Sequence, residues 1–532
     1  MGGEVDRLVR HIPEEIAHLG PWQPMARGTA PVEIALVFRI QHQEAMERKM
    51  EQAQCVFSDE EFRQHYGISA ALSIRARHWL IQSGLQVTQQ DTLTLWARGS
   101  FDAVAHAFQL DFEETYHRGR RKFHPRQDPT LPDWLSPFVL SVVGLDNIGE
   151  LHPKYRQVTE GLEAANDQQG FFPNNIQSAY RVPSTLDGTG ITIGILEFSN
   201  GYAEDDIEAF WASFSIPPPT VEFVSVDGTP NDGGTSSQDL ECTLDVEWAG
   251  ALAPGATLVV YEASAGSSDQ AFGLSVLKNL RYVLNDIAHQ PSVATISYGD
   301  GETRFAPATM EAWDSTILEM NAKGITIFVA SGDQGAYGLH GVGLPIRHVD
   351  APANCPHAVA VGGTHLVLDR QGHITEETGW TETNDNGASG GGVSRVFTLP
   401  SYQASVSFLT EPSGPSGRGV PDVALNADPD TGYAVVFQGA ATVVGGTSVA
   451  SPIWAAFTAL LNQHRANQGM APIGSLSHRI YQRAATTPSL FRDITVGNNN
   501  YFGVVGYDCQ PGWDAVTGFG SPNLSQWIQS LT

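Results

Sequence analysis

Positive charge is scarce in this chain of 532 residues: 30 Lys and Arg stand against 58 Asp and Glu, a formal net charge of −28 at pH 7. Phosphate binding needs a basic face, so nucleic acid is excluded as a partner. Long apolar runs are missing as well. No stretch approaches the ~18 apolar residues of a membrane span, and the start Met1-Gly2-Gly3-Glu4-Val5-Asp6-Arg7 lacks the apolar region of a signal peptide. A membrane partner is therefore excluded, and export is not explained by this N-terminus. Only four cysteines occur, Cys55, Cys242, Cys355 and Cys509, with no metal-type spacing. They allow either packed thiols or one disulfide, with Cys242 expected to face the core.

What is present is ordinary globular material, 41% hydrophobic and long enough for two folded units. Residues 1–170 carry 17 Lys and Arg against 23 Asp and Glu, and the remainder carries 13 against 35. A segment so poor in basic residues gains little net positive charge when its carboxylates protonate. It therefore resists self-repulsion in acid.

The segment Gly445-Gly446-Thr447-Ser448-Val449-Ala450-Ser451-Pro452 sets one serine at the mouth of a predicted helix. Tyr433–Phe437 upstream reads as a strand, and Ile453–Leu461 downstream reads as a buried helix with Pro452 in its first turn. Backbone N–H groups at such a helix start lack intrahelical acceptors and can donate to a developing oxyanion. A lone Gly-x-Ser is ordinarily a capping turn. A nucleophilic serine further needs a base held in place by a third group. Subtilisin-like proteases supply a histidine in a His-Gly-Thr-His motif, which is absent here; the only His-Gly is His340-Gly341, followed by Val342-Gly343.

Carboxylates are the remaining candidates. In Asp239–Gly250, Glu241 and Asp245 are four apart, with Leu240, Leu244 and Trp248 marking a buried stripe beside them. Carboxyls stacked this way repel unless they share a proton, so the pair should titrate as a unit. That suits a base in acid, where a histidine would already be protonated. A third acid, Asp333, ends the strand Gly324–Ala330 in a glycine-flanked loop, where sites assemble in parallel α/β sheets. A protonated Asp333 could donate a hydrogen bond to an oxyanion.

With these elements in this order, the chain resembles the sedolisins, or serine-carboxyl peptidases, and within them the kumamolisin-like branch. Glu241-x-x-x-Asp245 with Ala249-Gly250-Ala251-Leu252-Ala253-Pro254-Gly255-Ala256, then Ser331-Gly332-Asp333, then Gly445–Pro452 look like the catalytic elements of that family. Ser389-Gly390-Gly391-Gly392-x-Ser394 and Arg418–Val423 lie between them and also match. The resemblance implies Ser448 as acyl-forming nucleophile, Glu241 as general base and acid, Asp245 as the partner sharing its proton, and Asp333 as oxyanion donor. It further implies Glu197 as an outer acid of the proton network. Tyr298 stands where the family often has tryptophan, and Ser297 and Gly299 beside it fall in the substrate-binding region. Asp350 aligns with a pocket acid that favours a basic P1 side chain in some relatives. A structural calcium ion is implied near the carboxyl terminus, held by the Asp493 and Asp514 side chains and by the carbonyls of Ile494, Gln510 and Gly512; Gln510 replaces a common glycine.

The expected fold is α/β, a subtilisin-like parallel sheet with helices on both faces, because from Ile191 onward apolar strands (191–198, 257–262, 292–298, 324–330, 357–362) alternate with helices (near 203–214, 238–250, 269–289, 308–323). An α+β unit precedes it: a strand at 32–38, helices near 59–84 and 101–109, strands near 85–98 and 111–116, and a basic run at Arg118–Lys122 that reads either as a solvated loop or as a face toward the acidic catalytic domain. By resemblance that unit is a ferredoxin-like inhibitory propeptide. Residues 1–165 would be the activation segment and 166–532 the catalytic domain, with linker and processing region near 152–172. The expected protein is an extracellular, monomeric, acid-acting endopeptidase that removes its own propeptide and takes protein or peptide substrates. The competing readings are a subtilisin-like protease with an unrecognised histidine and an inactive acidic binding protein on the same scaffold.

Overall fold

The computed structural model describes residues 10–25, 30–53, 56–157, 170–265, 271–339, 345–382, 386–410 and 416–531. His340, Cys55 and most of the expected processing region lie outside the described residues. The chain divides into two compact units, one of residues 1–150 with 265–280 and 303–323, the other of 151–264, 281–302 and 324–532.

The first unit carries a four-stranded antiparallel sheet in the order Gln86–Gln90, Thr94–Ser100, Pro31–Phe38, Val139–Val143. Alternate residues Ile34, Leu36 and Phe38 of a central strand enter one core with Leu95, Phe101 and Phe108, and helix Pro307–Ala322 adds Leu318 and Ala322. Two local expectations are refined. The helix expected near 59–84 is two helices, Asp59–His65 and Ala70–Gln82. At Gly67 a Cβ would lie 2.7 Å from the Arg63 carbonyl oxygen, and Ser69 caps a fresh start. The run Arg118–Lys122 is the turn of a tight hairpin, exposed at Arg118, Gly119 and Arg120 and buried at Lys122. Arg118 and Gly119 take positive φ (49° and 77°) and join Phe112–His117 to Arg120–Pro125, and Lys122 is buried with its Nζ 2.8 Å from Glu150.

In the second unit the chain first runs as two short strands, β1 (His152–Pro153) and β2 (Arg156–Gln157). It then builds β3 (Thr192–Glu197), α1 (Glu204–Ser213), β4 (Thr220–Ser225), α2 (Leu240–Leu252) and β5 (Thr257–Glu262). β6 (Val293–Ile296), β7 (Tyr298–Gly301), β8 (Thr326–Ala330), β9 (Asp350–Ala351), β10 (Val359–Leu368) and β11 (Ile374–Gly379) follow. Last come β12 (Val423–Asn426), the hairpin β13 (Tyr433–Phe437) and β14 (Ala440–Gly445), and α3 (Thr447–Asn467). The main sheet has eight strands in the order β4-β5-β3-β6-β8-β10-β11, with β12 also paired to β10; only β11 is antiparallel.

Valine- and isoleucine-rich strands with no exposed face are what a sheet covered on both sides requires. α2 and α3 pack on each other and on this sheet. Burial of α2 extends beyond the expected stripe of Leu240, Leu244 and Trp248: every residue from Leu240 to Leu252 is buried. Indole donors from two tryptophans fix it, Trp248 to the Ala434 carbonyl and Trp211 to the Glu247 carbonyl, each at 3.0 Å. Cys242, Cys355 and Cys509 are buried. No described helix is long and apolar enough to cross a membrane.

Candidate active site

Parallel strands deliver their carboxyl ends to one edge of the sheet, and that is where the candidate residues meet. Glu197 ends β3, Glu262 ends β5 directly opposite it, Ser297 follows β6 and Asp333 follows β8. Ser448 is the second residue of α3, entered through Gly446 at φ +118°. A Cβ at Gly446 would overlap the Lys154 carbonyl oxygen and lie 2.7 Å from Asp333 Oδ2, so glycine keeps this space open.

Ser448 is buried, and its hydroxyl donates to the Ser297 carbonyl oxygen at 3.3 Å. It also acts on Glu241, where it favours the ionised form. No described histidine bonds to Ser448. Glu241 is fully buried, and burial followed by the charge of Glu197 pushes its carboxyl well above the usual range, against the pull of the Ser448 hydroxyl and the Lys154 ammonium. Asp245, one turn along, accepts from the Ser297 hydroxyl at 2.8 and 3.1 Å. Its carboxyl is raised by burial and then by Glu241. Glu197 is raised by burial, by Asp245 and by Glu262, and it shares a hydrogen bond with Asp245. Tyr298 packs edge-on against Phe198 and opposes the rise of Glu197. Glu262, missed in the sequence, is buried and pushed up to about 8 by burial and by the charge of Asp239. The signal was there: two strands of the same alternation each end in glutamate, and a parallel register sets them side by side.

Asp333 is held from one side. Its Oδ1 accepts from the backbone N–H and the hydroxyl of Thr447, both at 2.9 Å, while Oδ2 has no hydrogen-bond partner. Burial raises the group to about 6, against the pull of the Arg156 guanidinium. A neutral acid so placed keeps a free O–H to donate.

The remaining sequence-predicted residues fall into two places. Gly299 and Asp350 line a recess that holds the Lys154 side chain, its ammonium in a buried ion pair with Asp350, and the Ser297 carbonyl accepts from the Lys154 backbone N–H at 3.0 Å. Asp493 and Asp514 converge instead on the turn 510–512: Asp493 Oδ2 accepts from Gly512 N–H at 3.0 Å and Asp514 Oδ2 from Gln510 N–H at 3.2 Å. Asp514 is pushed up to about 6, chiefly by burial. Among the described residues no three His, Cys, Asp or Glu side chains form a metal cluster. The two carboxylates are oxygen donors of the kind a hard cation such as calcium takes, with Asp493 Oδ2 and both Asp514 oxygens already accepting from backbone N–H groups.

Fold and site define a serine peptidase on a subtilisin-like sheet, with buried carboxyls and no described histidine bonded to Ser448. Two family models match, "Pro-kumamolisin, activation domain" over residues 25–148 and "Subtilase family" over 230–503. The chain is 36% identical to kumamolisin of Bacillus sp. (strain MN-32) over 524 residues, 95% of this chain and 92% of that one. It is 30% identical to sedolisin of Pseudomonas sp. (strain 101), covering 82% of this chain and 75% of that one. It is also 30% identical to tripeptidyl-peptidase 1 of Rattus norvegicus, covering 85% and 82%. The solved Pseudomonas sedolisin, a serine-carboxyl proteinase complexed with pseudo-iodotyrostatin, superposes with a TM-score of 0.60 at 28% identity, over 68% of this chain and 98% of that one. The chain belongs to the sedolisin family of serine-carboxyl peptidases and carries an N-terminal pro-kumamolisin activation domain.

Proposed function

We propose that this peptidase is an acid-acting endopeptidase made as a self-processing zymogen, with Ser448 as nucleophile, Glu241 as base and acid, Asp245 as the partner that shares its proton, and Asp333 as oxyanion donor. What supports the reading is the cluster of buried carboxyls around Ser448: Glu241 and Asp245 one turn apart on α2, Glu197 and Glu262 side by side at the ends of β3 and β5, and the Ser297 hydroxyl reaching both Asp245 and the Ser448 carbonyl. Four such groups cannot all ionise in a dry site, so the cluster holds protons and titrates as a unit. Glu241, the member next to Ser448, is the one whose charge does the work.

In the reaction Ser448 attacks a peptide carbonyl carbon and its proton passes to Glu241. The resulting oxyanion is met by the Ser448 backbone N–H and by neutral Asp333. Glu241 then protonates the leaving amine, and water enters by the same route in reverse. This chemistry needs Asp333 protonated, which restricts it to acid and fits an extracellular acidic setting. Calcium, if bound at 493–514, supplies fixed positive charge that ties the 510–514 turn to Asp493; no proton or substrate step depends on it. Ser297 and Gly299 hold substrate backbone, and Asp350 holds a basic side chain.

The test is intact mass of the full-length chain and of Ser448→Ala and Glu241→Gln after incubation at pH 4 and at pH 7.5. Loss of the N-terminal segment from wild type in acid alone, with both variants intact, is the expected result. A Glu241→Gln chain that processes normally would point to a different base.

A further inference from the structure

Residues 152–157 lie in the cleft of their own unit in the manner of a substrate. β1 pairs antiparallel with β7, His152 against Gly299 and Pro153 against Tyr298. Lys154 N–H donates to the Ser297 carbonyl at 3.0 Å, and the Lys154 carbonyl oxygen accepts from the Ser448 N–H at 2.8 Å. Beyond that carbonyl, Arg156 and Gln157 of β2 pair with Gly445 and Val444 of β14. The strand pairing is thus continuous on both sides of one peptide bond, and the carbonyl of that bond sits on the helix start that offers its N–H groups.

Side chains at alternate positions share a face of an extended segment, and here that face is basic. His152 Nε2 faces Asp300 Oδ2 at 3.9 Å, Lys154 is fully buried on Asp350, and Arg156 reaches the Asp333 carbonyl oxygen at 3.4 Å and the Tyr501 hydroxyl at 3.2 Å. The recess for Lys154 is walled by backbone. A Cβ at Gly299 would come within 3.4 Å of Lys154 Cε and 2.7 Å of the Ala351 carbonyl, and one at Gly332 within 2.5 Å of Asp350 Oδ2. In a chain with so few basic residues, three at alternate positions against an acidic cleft form a built match of charge.

We propose that Lys154–Tyr155 is the first bond the chain cuts in itself, with Asp350 selecting Lys154. The proposal rests on the peptidase reading above. Ser448 Oγ bonds to the Lys154 carbonyl carbon and its proton moves to Glu241. The Lys154 C–N bond breaks as that proton passes to the Tyr155 nitrogen, freeing Tyr155 as an amine. One water then hydrolyses the Ser448 ester, leaving Lys154 as a carboxylate and restoring the hydroxyl. This cut lies near the start of the 152–172 region expected from the sequence, so N-termini further along arise by later trimming.

The experiment is a time course at pH 4 of the full-length chain and its Lys154→Met variant, read by intact mass and N-terminal sequencing. Caseinolysis and hydrolysis of the peptide Glu-Leu-His-Pro-Lys-Tyr-Arg-Gln (residues 150–157) are assayed in parallel. Tyr155 should be the first new N-terminus, the peptide should be cut after lysine, and Lys154→Met, which keeps the length but loses the charge, should slow the first cut by roughly 100-fold. A first N-terminus elsewhere, or an uncut chain that still digests casein, overturns the proposal and leaves the peptidase reading standing. A Tyr155 terminus that forms equally fast in Lys154→Met overturns the role given to Asp350. A wild-type chain that neither processes nor digests casein in acid overturns both readings.

Discussion

Replacing Asp333 by asparagine separates the two things that residue is asked to do. A carboxyl at about 6 is about 99% protonated at pH 4 and about 10% at pH 7, so wild-type turnover should fall about tenfold through this group alone between those values. Part of what lowers Asp333 is the charge of Arg156 and Lys154, which act from the linker; once the linker leaves, the midpoint should lie no lower than pH 6 and the tenfold fall becomes an upper limit. An amide donates at every pH. Asp333→Asn should therefore keep most activity at pH 4 and lose the alkaline fall, overtaking wild type near neutrality. Asp333→Ala, which removes the donor, should lose about 100- to 1,000-fold at pH 4, the cost typical of one oxyanion donor. The assay is kcat of the mature enzymes on one internally quenched peptide from pH 3 to 8. An Asp333→Asn profile that falls with the wild-type midpoint would refute the reasoning, because the titrating group would then lie elsewhere.

Stability should also fall as pH rises. Glu197, Glu241, Asp245 and Glu262 have folded-state values above their unfolded ones, so the native state binds more protons than the unfolded chain, and stability present below about pH 4 is lost progressively until the folded values, about 8 for Glu262, are passed. Several kcal/mol are at stake, and a Ser448→Ala chain, which cannot digest itself, should show a lower urea midpoint at pH 8 than at pH 4; a higher one would contradict the buried cluster. If calcium occupies the Asp493–Asp514 turn, EDTA at pH 6 should lower the melting temperature by several degrees and Asp514→Asn should remove that response, since a ligand bound only to the folded state stabilises it by about 3 kcal/mol at a hundredfold excess over Kd. Gly299→Ala should raise KM for lysine at P1 at least tenfold with a smaller change for small P1 residues, because the added methyl crowds Lys154 Cε and the Ala351 carbonyl. Equal losses for both substrate classes would argue for general misfolding.

The alternation of strands and helices from Ile191 onward was legible because fully buried strands are apolar throughout and stand out from helices by length. Ser448 was legible because a glycine pair, a small turn and a first-turn proline together specify a helix start. Glu241 and Asp245 were legible through their spacing, but their setting was not: a helix with no exposed face gives no amphipathic contrast from which complete burial could be read. Glu262 stayed hidden because its importance depends on the pairing of β3 with β5, which register alone decides. Lys154 and Arg156 looked like linker residues, since two-residue strands formed against a cleft leave no periodicity in the chain. The hairpin at Arg118–Gly119 was obscured by charge, which resembles a loop until Lys122 finds Glu150.

The seating of residues 152–157 in the cleft of the same chain carries a kinetic meaning. A substrate joined by peptide bonds to its enzyme has an effective concentration fixed by geometry, so its first cleavage is a first-order event. The half-life of the uncut chain at a given pH should be unchanged by thousandfold dilution. Activation would then be timed by acidity, and a single molecule far from any other would mature as promptly as one in a crowd.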